Sequence, residues 1–556
     1  MRILQQRCIG LSFIAFLAAG CADSPEPTNS AEPVQNPGTQ NPGTQNPGTE
    51  VNPYLCQLDQ PYPYPSGISY VGLHANRENN DYVDCPTAPA YELDWHALKG
   101  HGVGQPNTFS PDGKVTYVTS THPDPDGCTI HAVSVEDGSV LWCRSYLDAV
   151  WSTVEVDEDG NLYFTAVAKM ISLDPEGNVR WELSGLETGD GQETQGIFGL
   201  HFHPDGHVVT VTNDGEVLLV RRSDGAVLSK LSIPEAYGFV PPEALNLNID
   251  ILTVLPPYIS DDLASFAYQN GSDEIFGSFL GAGGNFSDNT VGIAPNGDIY
   301  VIGGGEDPQH GALVQIRVEG TVDAPTLIAG WHMNTVGGSA ATPSISPDGN
   351  FVHINDGASA KTLLDPLSIE AHVRVADIMA CNTNTDEDPD PAICAQAYAV
   401  PLKSGSAGGS TPLLDDAVHY IFETTITAFE DKGTVDVHAY QGDTLLWEAI
   451  LPDKMNWTSA MTVSQNHLLG TATRFTMSDV EVLNVKLPKT SQSELVLIDR
   501  HTGDLAFRAP VSDDASSTVT IGPDGSLYVN MLGIFHVAAQ DTRPVVGVMK
   551  FKPVLP

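Results

Sequence analysis

The sequence predicts an all-β fold, a β-propeller of four-stranded antiparallel blades, and three observations predict it. The first is a turn-and-strand stretch that recurs along the chain. "FSPDGKVTYV" starts at Phe109, "VDEDGNLYFT" at Val156, "FHPDGHVVTV" at Phe202, "IAPNGDIYVI" at Ile293, "ISPDGNFVHI" at Ile345 and "IGPDGSLYVN" at Ile521. Asp and Gly set a tight turn, and the Val/Ile/Tyr run after it reads as a strand. The second is the strand pattern around each copy. Between Ser152 and Glu182 four short strands are expected, around Thr153–Val156, Leu162–Ala166, Met170–Leu173 and Val179–Glu182, with "DEDG" and "PEGN" closing two hairpins. The third is the matching placement of Trp142, Trp181 and Trp447 on outermost strands, with Phe507 in that place in another unit. Four strands repeating about every 40–50 residues make a propeller blade.

Along the chain, the N-terminus comes first. Arg2 and Arg7 precede the apolar run "CIGLSFIAFLAAG", which is too short to span a bilayer and has the form of a signal peptide over residues 1–20. "LAAGC" resembles the bacterial lipobox, whose cysteine is acylated. Leu17 stands one place further from Cys21 than is usual, with Ala18 in its slot. The resemblance implies lipidation of Cys21. Ala22 after it resembles the sorting signal of outer-membrane lipoproteins and implies that location in the bacterial envelope, on either side of the membrane. The alternative is ordinary secretion. Residues 21–51, with "QNPGTQNPGTQNPGT", alternate Pro and Gly with polar residues and form a tether without a core. Residues 52–106 are an N-terminal segment in which "YELDWHALKG", from Tyr91, looks like an outer strand without its blade. It would close the ring against the last blade.

Residues 107–556 carry the blades, which begin near Thr108, Ser152, Gly199, Thr290, Ala341, Ser410, Ser459 and Ser517. That makes eight. Seven is the alternative, because the units at Ser410 and Ser459 lack the Pro-x-Gly turn. Of the eight cysteines, Cys8 leaves with the signal peptide and Cys21 carries the lipid. In an oxidising compartment the other six pair most simply by proximity: Cys56 with Cys85, Cys128 with Cys143, Cys381 with Cys394. A plain hairpin register does not set Cys128 directly opposite Cys143, so that bond requires a local bend.

"SSTVTIGPDGSLYV", "SATPSISPDGNFVHI" and "IDRHTGDLAF" resemble the PQQ-like repeat of quinoprotein-type propellers, over most of residues 107–551. The resemblance is specific for fold and weak for chemistry. Quinoprotein dehydrogenases hold PQQ against a tryptophan and a vicinal disulfide with Ca²⁺ on the cofactor. Here no two cysteines are adjacent and no CxxCH haem motif occurs. PQQ is therefore disfavoured. Lipid-anchored outer-membrane assembly scaffolds share the repeat without a cofactor.

Turns between first and second strands, and between third and fourth, are short and share one face of the disc. Length variation falls on the other face, in the insertions 232–289 and 376–409 and the connections at 303–311 and 471–493. Binding is expected on that elaborated face. Trp151 and Trp457 precede innermost strands and would stand near its mouth as aromatic platforms, or else pack between blades. His122 and His310, in connections of that face, are the candidate polar ligand contacts. Asp386, Glu387, Asp388 and Asp390, between Cys381 and Cys394, offer hard oxygen ligands for Ca²⁺, though without EF-hand spacing. The bland reading is a solvated acidic loop. His201 and His203 alternate on an inner strand and would give two metal ligands without an identifiable third.

A formal net charge of −45 with 25 Lys and Arg excludes nucleic acid and anionic headgroups as partners. The membrane is expected only through the lipid. The sequence favours a monomeric binding or scaffold module, with a protein or glycan on the elaborated face, over an enzyme. The alternatives are a quinoprotein-like oxidoreductase and a polysaccharide-active enzyme on the same scaffold.

Overall fold

The computed structural model describes residues 52–120, 127–146, 152–166, 169–184, 199–242, 286–287, 289–336, 342–355, 372–383, 393–401, 414, 418–422, 436–482, 485–512, 518–531 and 546–556. Eight antiparallel sheets succeed one another around a ring, so the fold is an eight-bladed propeller. Blade 1 takes Thr108–Phe109, Val115–Thr119, Ile130–Ser134 and Val140–Arg144; blade 2 takes Glu155–Val156, Leu162–Ala166, Lys169–Leu173 and Val179–Leu183. Blades 3, 4 and 5 start at Leu200, Gly292 and Ser344, and each pairs four strands in sequence order. Blade 6 shows Val418–Phe422, Asp436–Gln441 and Thr444–Ile450. Blade 7 splits its innermost position between Asn456–Trp457 and Thr462–Val463, both paired with the long strand His467–Val482. Blade 8 ends at Gly547–Pro553, and its fourth strand is Tyr91–Ala97 from the N-terminal segment, with Tyr91 opposite Pro553 and Ala97 opposite Val548. The ring is thus closed by pairing the two ends of the propeller.

Local chemistry accounts for the turns. In blade 2, Asp157 Oδ1 accepts from the backbone N–H of Asp159 at 3.0 Å and of Asn161 at 2.8 Å. Gly160 then takes φ +82°, which a residue with a Cβ adopts only with strain. The inner strands are buried on both faces; Leu162–Ala166 and Leu527–Met531 are buried throughout. Outermost strands are half exposed, as in Val179–Leu183.

The matching tryptophans clasp one blade to the next. Trp95, Trp142, Trp181 and Trp447 each lie on an outermost strand and press on a glycine in the third-to-fourth turn of the next blade: Gly138, Gly177, Gly225 and Gly503. Each indole N–H donates to a carbonyl of that turn, those of Val135, Pro175, Arg222 and Arg500, at 2.9–3.1 Å. A second contact runs through the first-to-second turns. Pro523, Pro111 and Pro295 pack on Gly113, Gly160 and Gly349 of the next blade.

Candidate functional site

The propeller axis is where the innermost strands converge, and the N-terminal segment occupies it. Ser69 Oγ donates to Ile521 O of blade 8 at 2.5 Å, and Tyr64 Oη donates to Glu155 of blade 2 at 3.0 Å. Ile293 N and Ile345 N, of blades 4 and 5, donate to the carbonyls of Arg77 and Glu78, each at 2.8 Å. Val463 N of blade 7 donates to Asp81 O at 2.8 Å. Phe202 N of blade 3 donates to Tyr64 Oη at 3.3 Å, so side chains or backbone of residues 64–83 reach the innermost strands of six blades. His74, Arg77, Asn79, Asn80 and Asp81 are all buried, an expensive placement that holds only if their polar atoms are satisfied.

Glu155 and His201 form the centre of that network. His201 Nδ1 lies 2.5 Å from Glu155 Oε1, and its Nε2 lies 2.8 Å from Asn79 Oδ1. Asn79 Nδ2 donates to Val291 O, which leaves Oδ1 as the acceptor and puts a proton on Nε2. Burial pushes the Glu155 carboxyl above the usual carboxylate range, opposed by His201. At 2.5 Å the Nδ1–Oε1 contact is a hydrogen bond, since two bare lone pairs would repel at that distance. His74 Nδ1 sits 3.1 Å from Asp81 Oδ1 in the same layer. This is a satisfied polar core that joins the N-terminal segment to blades 2, 3 and 4.

The residues singled out in the sequence do not gather at one place. His201 does face the axis, but His203 turns away to Gly297 O at 3.0 Å, so the two share no site. Trp457 is not an exposed platform. It is fully buried, its Nε1 donates to Ser459 O at 2.8 Å, and a Cβ on Gly470 would overlap its ring. The strand His467–Val482 continues past the blade and covers it, with Trp457 opposite Ala472. His310 lies half exposed in the second-to-third connection of blade 4, with Nδ1 2.8 Å from Asp307 Oδ2. Trp151, His122, Cys21 and the acidic set Asp386, Glu387, Asp388 and Asp390 lie outside the described residues. Among the described residues no three His, Cys, Asp or Glu side chains converge on a metal position.

All three disulfides pair as expected, Cys56–Cys85, Cys128–Cys143 and Cys381–Cys394, with Cα separations of 5.3, 5.6 and 5.2 Å. The paired register ends with Ile130 opposite Arg144 and would set Cys128 opposite Tyr146, so Cys128 reaches Cys143 by departing from that register. The short-turn face is not bare framework: the insertion expected at 376–409 on the opposite face instead starts between the third and fourth strands of blade 5, His372–Asp377 and Tyr398–Pro401, a connection that belongs to this face. The N-terminal segment crosses it: Glu158 N donates to Pro63 O, Cys56 N to Pro523 O, and Tyr62 packs on Gly206. Sequence reasoning missed the axial role of "HANRENNDY", His74–Tyr82. The available signal was a polar, Asn-rich run held between two cysteines of a predicted disulfide.

Among known proteins, the family described as "Outer membrane protein assembly factor BamB" matches residues 91–245. No curated protein matches the sequence. The solved structures that resemble it include quinohemoprotein alcohol dehydrogenase from Comamonas testosteroni, at 11% identity and TM-score 0.52, covering 88% of this chain and 81% of that one. BamB from Moraxella catarrhalis aligns at 11% identity and TM-score 0.44, covering 83% of this chain and 99% of that one. At such identities the likeness is one of fold. The chain is an eight-bladed β-propeller whose residues 91–245 match that family.

Proposed function

We propose that this protein is a non-catalytic binding or scaffold module of the bacterial envelope, held at the outer membrane by a lipid on Cys21. It offers its loop-bearing face to a protein or glycan. The observation that carries this reading is the filled axis. A propeller's enclosed polar site lies where the innermost strands meet, and here residues 64–83 take that place, with Tyr64, Asn79, Glu155 and His201 spent on one another. The match of residues 91–245 to the BamB description supports the envelope setting. Ca²⁺ on Asp386, Glu387, Asp388 and Asp390 is compatible with this function, which uses no quinone.

The test is fractionation of wild type and Cys21→Ser, and then native mass spectrometry of the purified chain. Wild type should partition with membranes and the variant should not, and the chain should carry an envelope protein or oligosaccharide. A co-purifying quinone with dye-linked alcohol oxidation would overturn the reading.

A further inference from the structure

The turn glycines of the short-turn face are covered in more than one way, for Gly206 meets Tyr62, Gly297 meets His203 and Gly525 meets Tyr54. Pro523, Pro111 and Pro295 each rest on a turn glycine of the next blade. Blade 5 supplies the equivalent Pro347, but the corresponding turn of blade 6 reads "LLDDAVHY", Leu413–Tyr420, and has no glycine to receive it. Pro347 instead lines a cavity of about 400 Å³ between blades 5, 6 and 7. Tyr82 of the N-terminal segment, Tyr420 and Trp447 form aromatic walls, and Val418 lies beside them.

Arg500 also lines this cavity. Its backbone is pinned on both sides: N donates to Asn466 O at 3.1 Å and O accepts from Trp447 Nε1 at 3.0 Å. The guanidinium lies 5.6 Å from the Tyr82 ring centroid. Its Nε and Nη1 are buried and find no acceptor among the described residues, although the guanidinium also hydrogen-bonds the Tyr82 hydroxyl, and Arg500 joins no ion pair among the described residues. A buried donor left without an acceptor is costly, more so when it carries charge. The nearest carboxylates are engaged elsewhere: Asp84 accepts from Tyr82 Oη at 2.7 Å, and Asp499 accepts from the backbone N–H groups of His501 and Thr502. Burial pushes both phenols, Tyr82 and Tyr420, up to about 12, so at neutral pH they are uncharged; the Tyr82 proton is given to Asp84.

We propose that this cavity binds a small organic carboxylate with a flat ring body, its carboxylate on the Arg500 fork and its ring between Tyr82, Tyr420 and Trp447. A guanidinium matches a carboxylate with two parallel N–H bonds, and aromatic walls accept a ring in offset or edge-on contact. The volume suits a molecule of that size. The site lies on the face opposite the partner surface proposed above and does not depend on it.

The test is calorimetric titration of the full mature chain with indole-3-acetate, neutral indole-3-acetamide and inorganic phosphate. Indole-3-acetate should bind one to one, and the amide and phosphate at least tenfold more weakly. Arg500→Gln should lower the affinity at least tenfold with an unchanged melting curve. Val418→Tyr, which places a larger side chain in the cavity, should also abolish binding. Equal affinity for the amide means Arg500 plays no part and overturns the proposal. Equal affinity for phosphate means the ring plays no part and overturns it too, as does undamaged binding by either variant or no binding by wild type.

Discussion

The junction between blades 1 and 2 and the junction between blades 5 and 6 use the same architecture with different chemistry. At the first, Trp142 presses on Gly177, Pro111 packs on Gly160, and the space between is apolar, with Ile130, Val154, Leu162, Phe164 and Ile171 buried together. At the second, the outermost strand Tyr398–Pro401 has no tryptophan, and the turn it would clasp presents Gly442 with nothing near it. Histidines and tyrosines take up the space instead. The rings of His353 and His419 lie 4.6 Å apart, His419 stacks on Tyr440 at 5.5 Å, and both histidines are fully buried. The repeat therefore fixes how strands pair within a blade. The packing between blades is set separately, junction by junction, and only some junctions hold titratable groups.

The largest effect is expected where the clasp is complete. Trp181 is 8% exposed, rests on Gly225 and bonds Arg222 O. Trp181→Ala leaves a cavity and removes the shorter of two hydrogen bonds to that carbonyl, and should cost about 3–5 kcal/mol. Urea unfolding monitored by far-UV circular dichroism measures it. A cost below about 1 kcal/mol would mean that the clasp adds little to ring stability.

A glycine pair sharpens the same contrast. Gly225 and Gly442 both sit in third-to-fourth turns with positive φ, +75° and +58°. A Cβ on Gly225 would come within 2.7 Å of the Trp181 ring, whereas on Gly442 it would meet open space. Gly442→Ala should cost only the backbone strain, about 1 kcal/mol. Gly225→Ala adds overpacking and should cost about 2–4 kcal/mol. Equal losses in chemical denaturation would show that the indole yields freely.

The blades were legible in the sequence because each repeats the same turn, and the ring-closing strand because Tyr91–Gly100 has an outer-strand pattern with no partner nearby. The axial segment was not legible. His74–Tyr82 has no period, and its partners lie far away in sequence: Asn79 bonds Val291 and Asn80 bonds Ile345. Of the two roles open to Trp457 in the sequence, the buried packing role is the one found, for a related reason. Its position before an innermost strand puts it near the mouth in a regular blade, but blade 7 extends its second strand and buries it. The stretch "LLDDAVHY" shows no turn glycine, yet the guanidinium of Arg500 comes from blade 7 and meets Tyr82, Tyr420 and Trp447 only once the blades are assembled.

The smallest effect concerns pH and tests whether the two junctions differ in titration as they do in composition. Burial, assisted by the neighbouring His419, holds the His353 pKa well below its ordinary value, and Tyr398 Oη lies 3.1 Å from its Nε2. In the unfolded chain His353 takes a proton near pH 6.5; in the folded chain it stays neutral. The unfolded state therefore binds more protons below pH 6.5, and stability falls as pH drops through that value. Above pH 6.5 the term vanishes. At pH 5.5 it should reach about 1.4 kcal/mol. His203, His332 and His467, also lowered by burial, add slopes of the same sign elsewhere in the ring, while buried Glu155, raised by burial, acts with the opposite sign. Comparing wild type with His353→Gln cancels those shared terms. Between pH 7.5 and 5.5 wild type should lose about 1 kcal/mol more than the variant in urea unfolding. Parallel losses would mean that His353 is protonated equally in both states and that the junction between blades 5 and 6 is no more sensitive to acid than its apolar counterpart.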